Sequence, residues 1–171
     1  MKFNKIIFFL LLSQLLFNNS FSVEQNLKFV DVDSIIENTN IGKNILNKLN
    51  QIDQNNLKKL KEFEDELKNQ ENQIKSKKNL ISDDELKKEI DSLNLKFSDY
   101  KKIKNDMITA LSETKNNEFK NFFKTINPII QNYMNENSIQ IILSSKNIFI
   151  GNKNSDLTQI LIDLINKKLS K

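Results

Sequence analysis

The sequence predicts an α+β chain in which a long antiparallel helical hairpin, coiled-coil in its pattern, is inserted into a small β-head that ends in a C-terminal helix. Three observations carry this. A strand-like stretch, "LKFVDVD" from Leu27 to Asp33, stands near the start with no partner beside it. From Gly42 to Asn127 the chain then runs with no proline, no further glycine and a helical apolar period. Two more β-branched stretches and an amphipathic helix close the sequence. An isolated strand cannot satisfy its own backbone groups, so the partner of Leu27–Asp33 has to come from beyond the helical stretch.

The first 22 residues read as a cleaved secretory signal. Lys2 and Lys5 supply a basic start, "IIFFLLLSQLLF" an apolar run, and Ser20-Phe21-Ser22 a small-residue cleavage site. The run is too short to span a bilayer, which takes about 20 apolar residues. On this reading 23–42 and 126–171 form the head, 43–125 the arm, and the arm tip lies near 78–82.

The arm is legible from its spacing. Its first half carries a seam at Ile45, Leu49, Ile52, Asn56, Leu60, Phe63, Leu67, Gln70 and Ile74, with one stutter at Asn56–Leu60. The second half repeats the pattern without interruption from Leu86 through Leu93, Phe97, Tyr100 and Met107 to Leu111. A stripe this narrow on charged helices indicates a two-helix seam rather than a globular core face. Between the halves, Ser82 and Glu85 have the spacing of a capping box, and Asp83 and Asp84 favour the positive end of a new helix. A turn over Lys78–Ile81 follows. Folding back there pairs Ile74 with Leu86, Leu67 with Leu93, Phe63 with Phe97, Leu60 with Tyr100, Asn56 with Lys104, and Leu49 with Leu111.

Beyond the arm, Pro128 is expected to kink or restart the helix, and Asn137 to cap it in a left-handed conformation. "SIQIILS", Ser138–Ser144, reads as the second strand. "NIFIG", Asn147–Gly151, reads as a third, joined to it by a polar turn at Ser145-Lys146. The last helix, in "SDLTQILIDLINKKL", is capped by Ser155 or Asp156. It should bury Leu157, Ile160, Leu161, Leu164, Ile165 and Leu169, with Lys167 and Lys168 at its negative end.

Composition narrows the function classes. The chain has no Cys, His, Trp or Arg, and its basic residues are all lysine. There are no disulfides, the soft and imidazole metal ligands are missing, and no histidine is present to activate a nucleophile. No catalytic residue, metal site or cofactor is expected. The formal charge of +4 becomes +2 without Lys2 and Lys5, a weak basic bias for a nucleic-acid protein.

The whole mature chain resembles the Skp/OmpH family of periplasmic chaperones. "KFVDVD" followed by "IIENTNIGK" matches the family's first strand, short helix and Gly-Lys segment, without its usual proline. "LISDDELKKE" matches the hairpin entry, and Pro128-Ile129 and Asp156-Leu157-Thr158 match the tail, where Asn137 replaces a glycine. The resemblance implies a homotrimer with three arms around a cavity. It implies ATP-independent holding of unfolded outer-membrane proteins in the periplasm, with no cofactor. Lipopolysaccharide or a membrane surface is a further implied partner, against which the near-balanced charge weighs.

Two clusters stand out beside the seam. Lys58, Lys59 and Lys61 on one helix lie near Lys101, Lys102 and Lys104 on the other, a mid-arm basic belt and candidate client-binding site. The plainer reading of the belt is a solvated helix face. Phe119, Phe122 and Phe123 in "EFKNFFK" are expected to pack where arm meets head. The alternatives are a structural coiled-coil adaptor of the envelope with one folded partner, and a prefoldin-like assembly, which the signal argues against.

Overall fold

A computed structural model describes residues 26–170 of the chain. The proposed signal sequence lies outside the described residues. Strand β1 (Leu27–Val30) leads to helix α1 (Val32–Asn38), then to the arm helices α2 (Asn40–Lys77) and α3 (Asp83–Glu136). Strand β2 (Ile141–Ser144), two short 3-10 turns and helix α4 (Thr158–Leu169) complete the order. Among the described residues no helix is long and apolar enough to cross a membrane.

β1 pairs with β2, in parallel, with Leu27 beside Ile141 and Val30 beside Ser144. Parallel partners need a long crossover, and here the entire arm is that crossover. β1 is shorter than the expected Leu27–Asp33. Asp31 ends it, because its carboxylate accepts from Ser34 N–H at 3.1 Å and so caps α1. The Asp31 N–H meanwhile donates to Thr158 Oγ1 at 2.8 Å, which ties this turn to the start of α4. The second strand likewise begins at Ile141, not Ser138.

The expected third strand at Asn147–Gly151 does not form. Ser145–Asn147 is a 3-10 turn, and Phe149 and Ile150 after it stand fully in solvent. The 3-10 turn carries the chain away from the β2 edge, which stays unpaired among the described residues. The other edge of β1 is taken by Leu157 N–H, which donates to Phe29 O at 2.9 Å.

The tip is as the capping box predicts. Ser82 Oγ accepts from Glu85 N–H, and the Glu85 carboxylate accepts from Ser82 N–H at 3.2 Å. The helix runs unbroken through Pro128. Pro128 and Lys124 are both exposed, so the Lys124 carbonyl that loses its N–H donor lies on the solvent side of the helix. The left-handed residue at the end of α3 is Ser138, φ 53°, one position past the expected Asn137. Ile139 N–H donates to Met134 O and Ser138 N–H to Asn135 O, a Schellman arrangement, and both Ile139 and Met134 pack into the core.

That core lies in the head. Phe122 and Ile126 from α3 and Leu161 and Ile165 from α4 are almost wholly buried, joined by Val30, Ile35 and Ile139. Within α4, Ile162 is buried where Ile160 was expected, while Ile160 and Leu169 are exposed. The N-cap of α4 is Leu157, not Ser155 or Asp156, and it makes no side-chain cap; Asp156 just before it accepts from Thr158 N–H at 2.9 Å. Gly42 lets α1 and α2 touch: a Cβ there would lie 1.9 Å from the Ile36 carbonyl oxygen. The fully buried Thr39 caps α2 by accepting from Gly42 N–H.

The arm has a second, thinner cluster of Leu67, Ile74 and Leu93, with Leu86 and Tyr100 against it. Leu67 with Leu93 and Ile74 with Leu86 therefore share a layer as expected. Phe63 and Phe97 do not bury each other; they stay 37% and 39% exposed outside that cluster. Tyr100 was expected opposite Leu60, yet its hydroxyl donates to Glu64, a turn nearer the tip. Side chains lean toward their own helix N-terminus. On α3 that lean is toward the tip and on α2 toward the head, so long side chains meet out of the Cα register.

Candidate functional site

Two regions of uncovered apolar surface stand out, one at the base of the arm and one on the head. At the base, α1, α2 and α3 enclose an open groove of about 680 Å³. Val32 and Ile36 form one wall, Leu46 and Leu49 the second, and Leu111, Phe119 and Phe123 the third. The local sequence explains the shape. α1 is only seven residues long and turns sharply at Thr39, so it covers one side of the arm root and leaves the next open. Phe122 is turned inward, edge-on to Phe123 with ring centroids 5.3 Å apart. The expectation for the phenylalanine cluster thus holds for Phe122, which anchors the head core. Phe119 and Phe123 pack against that core and also face the groove.

The groove has a mixed rim. Asp33, Glu37 and Asp53 lie along it with Lys115, whose ammonium sits 6.0 Å from the Phe119 ring centre. Asp33 is engaged by Lys146 at 2.6 Å, and that pairing raises the lysine pKa above its ordinary value, chiefly through the hydrogen bond. Sequence reasoning missed the groove because it depends on where α1 lies against α2 and α3, which local pattern does not give.

On the head, β2 is the edge of a two-stranded sheet. Ile141 and Leu143 point to solvent from it, and Phe149 and Ile150 follow on the loop. Unpaired strand groups beside apolar side chains are a ready surface for pairing with another chain.

The six belt lysines, Lys58, Lys59, Lys61, Lys101, Lys102 and Lys104, are all exposed. Lys61 is held by Asp65 at 2.9 Å, and its pKa is raised by that hydrogen bond first and by the carboxylate charge second. Neighbouring positions on a helix point about 100° apart, so Lys58 and Lys59, and likewise Lys101 and Lys102, face different ways. The belt encircles the arm rather than forming one face. Glu62, Glu64, Asp65 and Glu66 follow it directly on α2. Across the arm, Lys96 meets Glu66 at 2.9 Å and Lys48 meets Glu118.

Comparison with known proteins places this geometry. The family model described as Outer membrane protein (OmpH-like) matches residues 26–165. Among solved structures, the chain is similar to a protein from Caulobacter crescentus CB15 described as an outer membrane chaperone (OmpH-like). The TM-score is 0.76 at 16% identity, over 85% of this chain and 86% of that one. At that identity the likeness is one of fold. No curated protein sequence matches the chain.

Proposed function

The chain belongs to the OmpH-like outer membrane protein family, and from that premise we propose that it is an ATP-independent holdase of the periplasm. It binds unfolded outer-membrane proteins and keeps them from aggregating, without catalysis and without a cofactor. The observation that carries this reading is the apolar surface its arm leaves uncovered: Leu57, Phe97 and Ile108 stand out along two slender helices. A soluble chain that keeps such groups in water does so at a cost in stability and solubility, and surfaces of this kind mark interaction sites. Contacts that are individually weak and spread along the arm bind a polypeptide without imposing one structure on it. The belt lysines add charge on long apolar stems and steer acidic segments to the arm.

The working form is a homotrimer joined through the heads. The open β2 edge and the exposed Phe149 and Ile150 support this, since pairing with a second copy would satisfy the first and cover the second. Three arms would then bound one cavity. The test is dilution of a urea-denatured outer-membrane β-barrel protein into buffer with and without the mature chain, in the absence of ATP, followed by light scattering. Suppression near one trimer per client supports the reading. Unchanged aggregation rules it out, and sedimentation as a stable monomer at micromolar concentration rules out the assembly.

A further inference from the structure

The arm of this chain has two unlike flanks, and the difference selects the surface that holds a client. The base groove, walled by Leu46, Phe119 and Phe123, opens on one flank. Seven or eleven residues return a helix to nearly the same face. Leu57 lies eleven past Leu46, Ile108 eleven before Phe119, and Phe97 eleven before Ile108. The groove therefore continues up the arm as a stripe of apolar side chains, and Leu57 and Ile108 on it are 53% and 58% exposed. The opposite flank is closed by paired charges. There Lys48 and Glu118 pair beside Asn44, Asn121 and Thr125 and form a polar rim over a smaller hollow backed by Ile41, Ile45 and Phe122, which shares no wall with the groove, and Lys96 pairs with Glu66 farther out.

Charge on the two flanks differs as well. Lys101 is seven residues before Ile108, Lys68 eleven past Leu57, and Lys115 is in the groove wall. Among the described residues none of these three has an ion-pair partner, whereas most carboxylates on the same side are engaged. Asp33 is held by Lys146, Glu71 by Lys75, and Glu64 accepts from Tyr100. Glu37 and Asp53 remain along the groove rim. The stripe thus offers apolar side chains interleaved with uncommitted cations.

We propose that this flank, from the groove at Phe119 and Phe123 up to Phe97, is the holding surface, and that its occupant is an extended apolar segment of an unfolded polypeptide carrying acidic residues. The proposal rests on the holdase reading and specifies where it acts. The helix flank has no free backbone edge, so recognition is by side chains alone and tolerates many sequences. Of the six belt lysines, Lys101 and Lys104 fall on this stripe, Lys104 lying seven past Phe97 and eleven before Lys115, while Lys102 points away.

Leu95 provides the control. It is apolar and 69% exposed, but it lies two positions past the buried Leu93 and so on the outer side of α3. In the aggregation assay with a urea-denatured outer-membrane β-barrel protein, Leu57→Ser with Ile108→Ser should weaken holding about tenfold, as expected for losing two apolar contacts. Leu95→Ser should change it less than about twofold. A photo-crosslinking residue at 57 or 108 should capture the client, and one at 95 should not. All three positions are exposed, so circular dichroism should be unchanged. Equal effects at both places, with the parent chain still holding client, would overturn the proposal and leave the holdase reading standing. Crosslinks from 57 and 108 to a second copy of this chain, unaffected by client, would overturn it in favour of an assembly contact. Failure of the parent chain to suppress aggregation would remove both.

Discussion

Head and arm are built from the same residue types and held together differently. In the head, α3 and α4 bury Phe122, Ile126, Leu161 and Ile165 almost completely, and β1, α1 and the end of α3 close over them. In the arm, a helix has one neighbour, and a seam two residues wide in every seven is all it can bury. The result is a short layer around Leu67, Ile74 and Leu93, while Phe63, Ile90 and Phe97 remain partly wet. Gln70 even leaves its amide oxygen buried without a donor, a defect worth about 1–3 kcal/mol. Stability is concentrated where three or more elements meet. The arm is the region free to open, and the region whose apolar groups are free to touch something else.

The comparison breaks most visibly at its anchor. Phe122→Ala should cost about 3–5 kcal/mol in global stability by denaturant melting. Phe63→Ala, where the ring is already half in water, should cost well under half of that. Similar losses at the two sites would mean that head and arm unfold as one unit. Gly42→Ala comes next. A methyl group driven against the Ile36 carbonyl should cost about 1–3 kcal/mol by separating α1 from α2. It should also reshape the groove, so holding of client should fall even at temperatures where the head stays folded.

Ser82→Ala sharpens the contrast from the other end. Loss of the tip cap should cost about 1 kcal/mol locally. Amide exchange should quicken around Lys78–Leu86 and remain slow at Phe29, Val30 and Ile142, and the global melting temperature should barely move. Uniform acceleration would show that the tip is coupled to the head.

The smallest expected effect is a titration. The Tyr100 phenol is held above the ordinary 10.0, first by its hydrogen bond to Glu64, then by desolvation and the carboxylate charge. A pKa raised on folding stabilises the arm fully below the unfolded value, and that contribution is lost as pH rises through the folded one. Absorbance titration of a Tyr133→Phe background should therefore show late ionisation of Tyr100, brought back toward 10.0 by Glu64→Gln. Because the group is exposed, the accompanying loss of arm stability at alkaline pH should be slight.

Much of this architecture could be read without coordinates, because its signals are local and periodic. Two seams of spacing three and four, a Ser82–Glu85 box between them and an amphipathic last helix determine a hairpin and its return to the head. The same reading located Phe122 in the core and Leu67 opposite Leu93. Local signals competed elsewhere. Asp31 was counted within a strand because "VDVD" alternates, although its carboxylate ends that strand and starts α1. "NIFIG" has strand composition, but the 3-10 turn at Ser145–Asn147 carries it away from the open β2 edge. Asn137 had the better left-handed propensity, yet the seating of Ile139 in the core put the turn at Ser138. Ile160 and Ile162 look alike in sequence, and only the direction from which α1 and α3 approach α4 decides which is buried. The groove depended on tertiary structure most of all. Its walls come from residues as far apart as Val32 and Phe123, and its opening exists because α1 is too short to cover both sides of the arm root. Periodicity tells a helix which face to bury; which part of that face stays open depends on the size and placement of its neighbours.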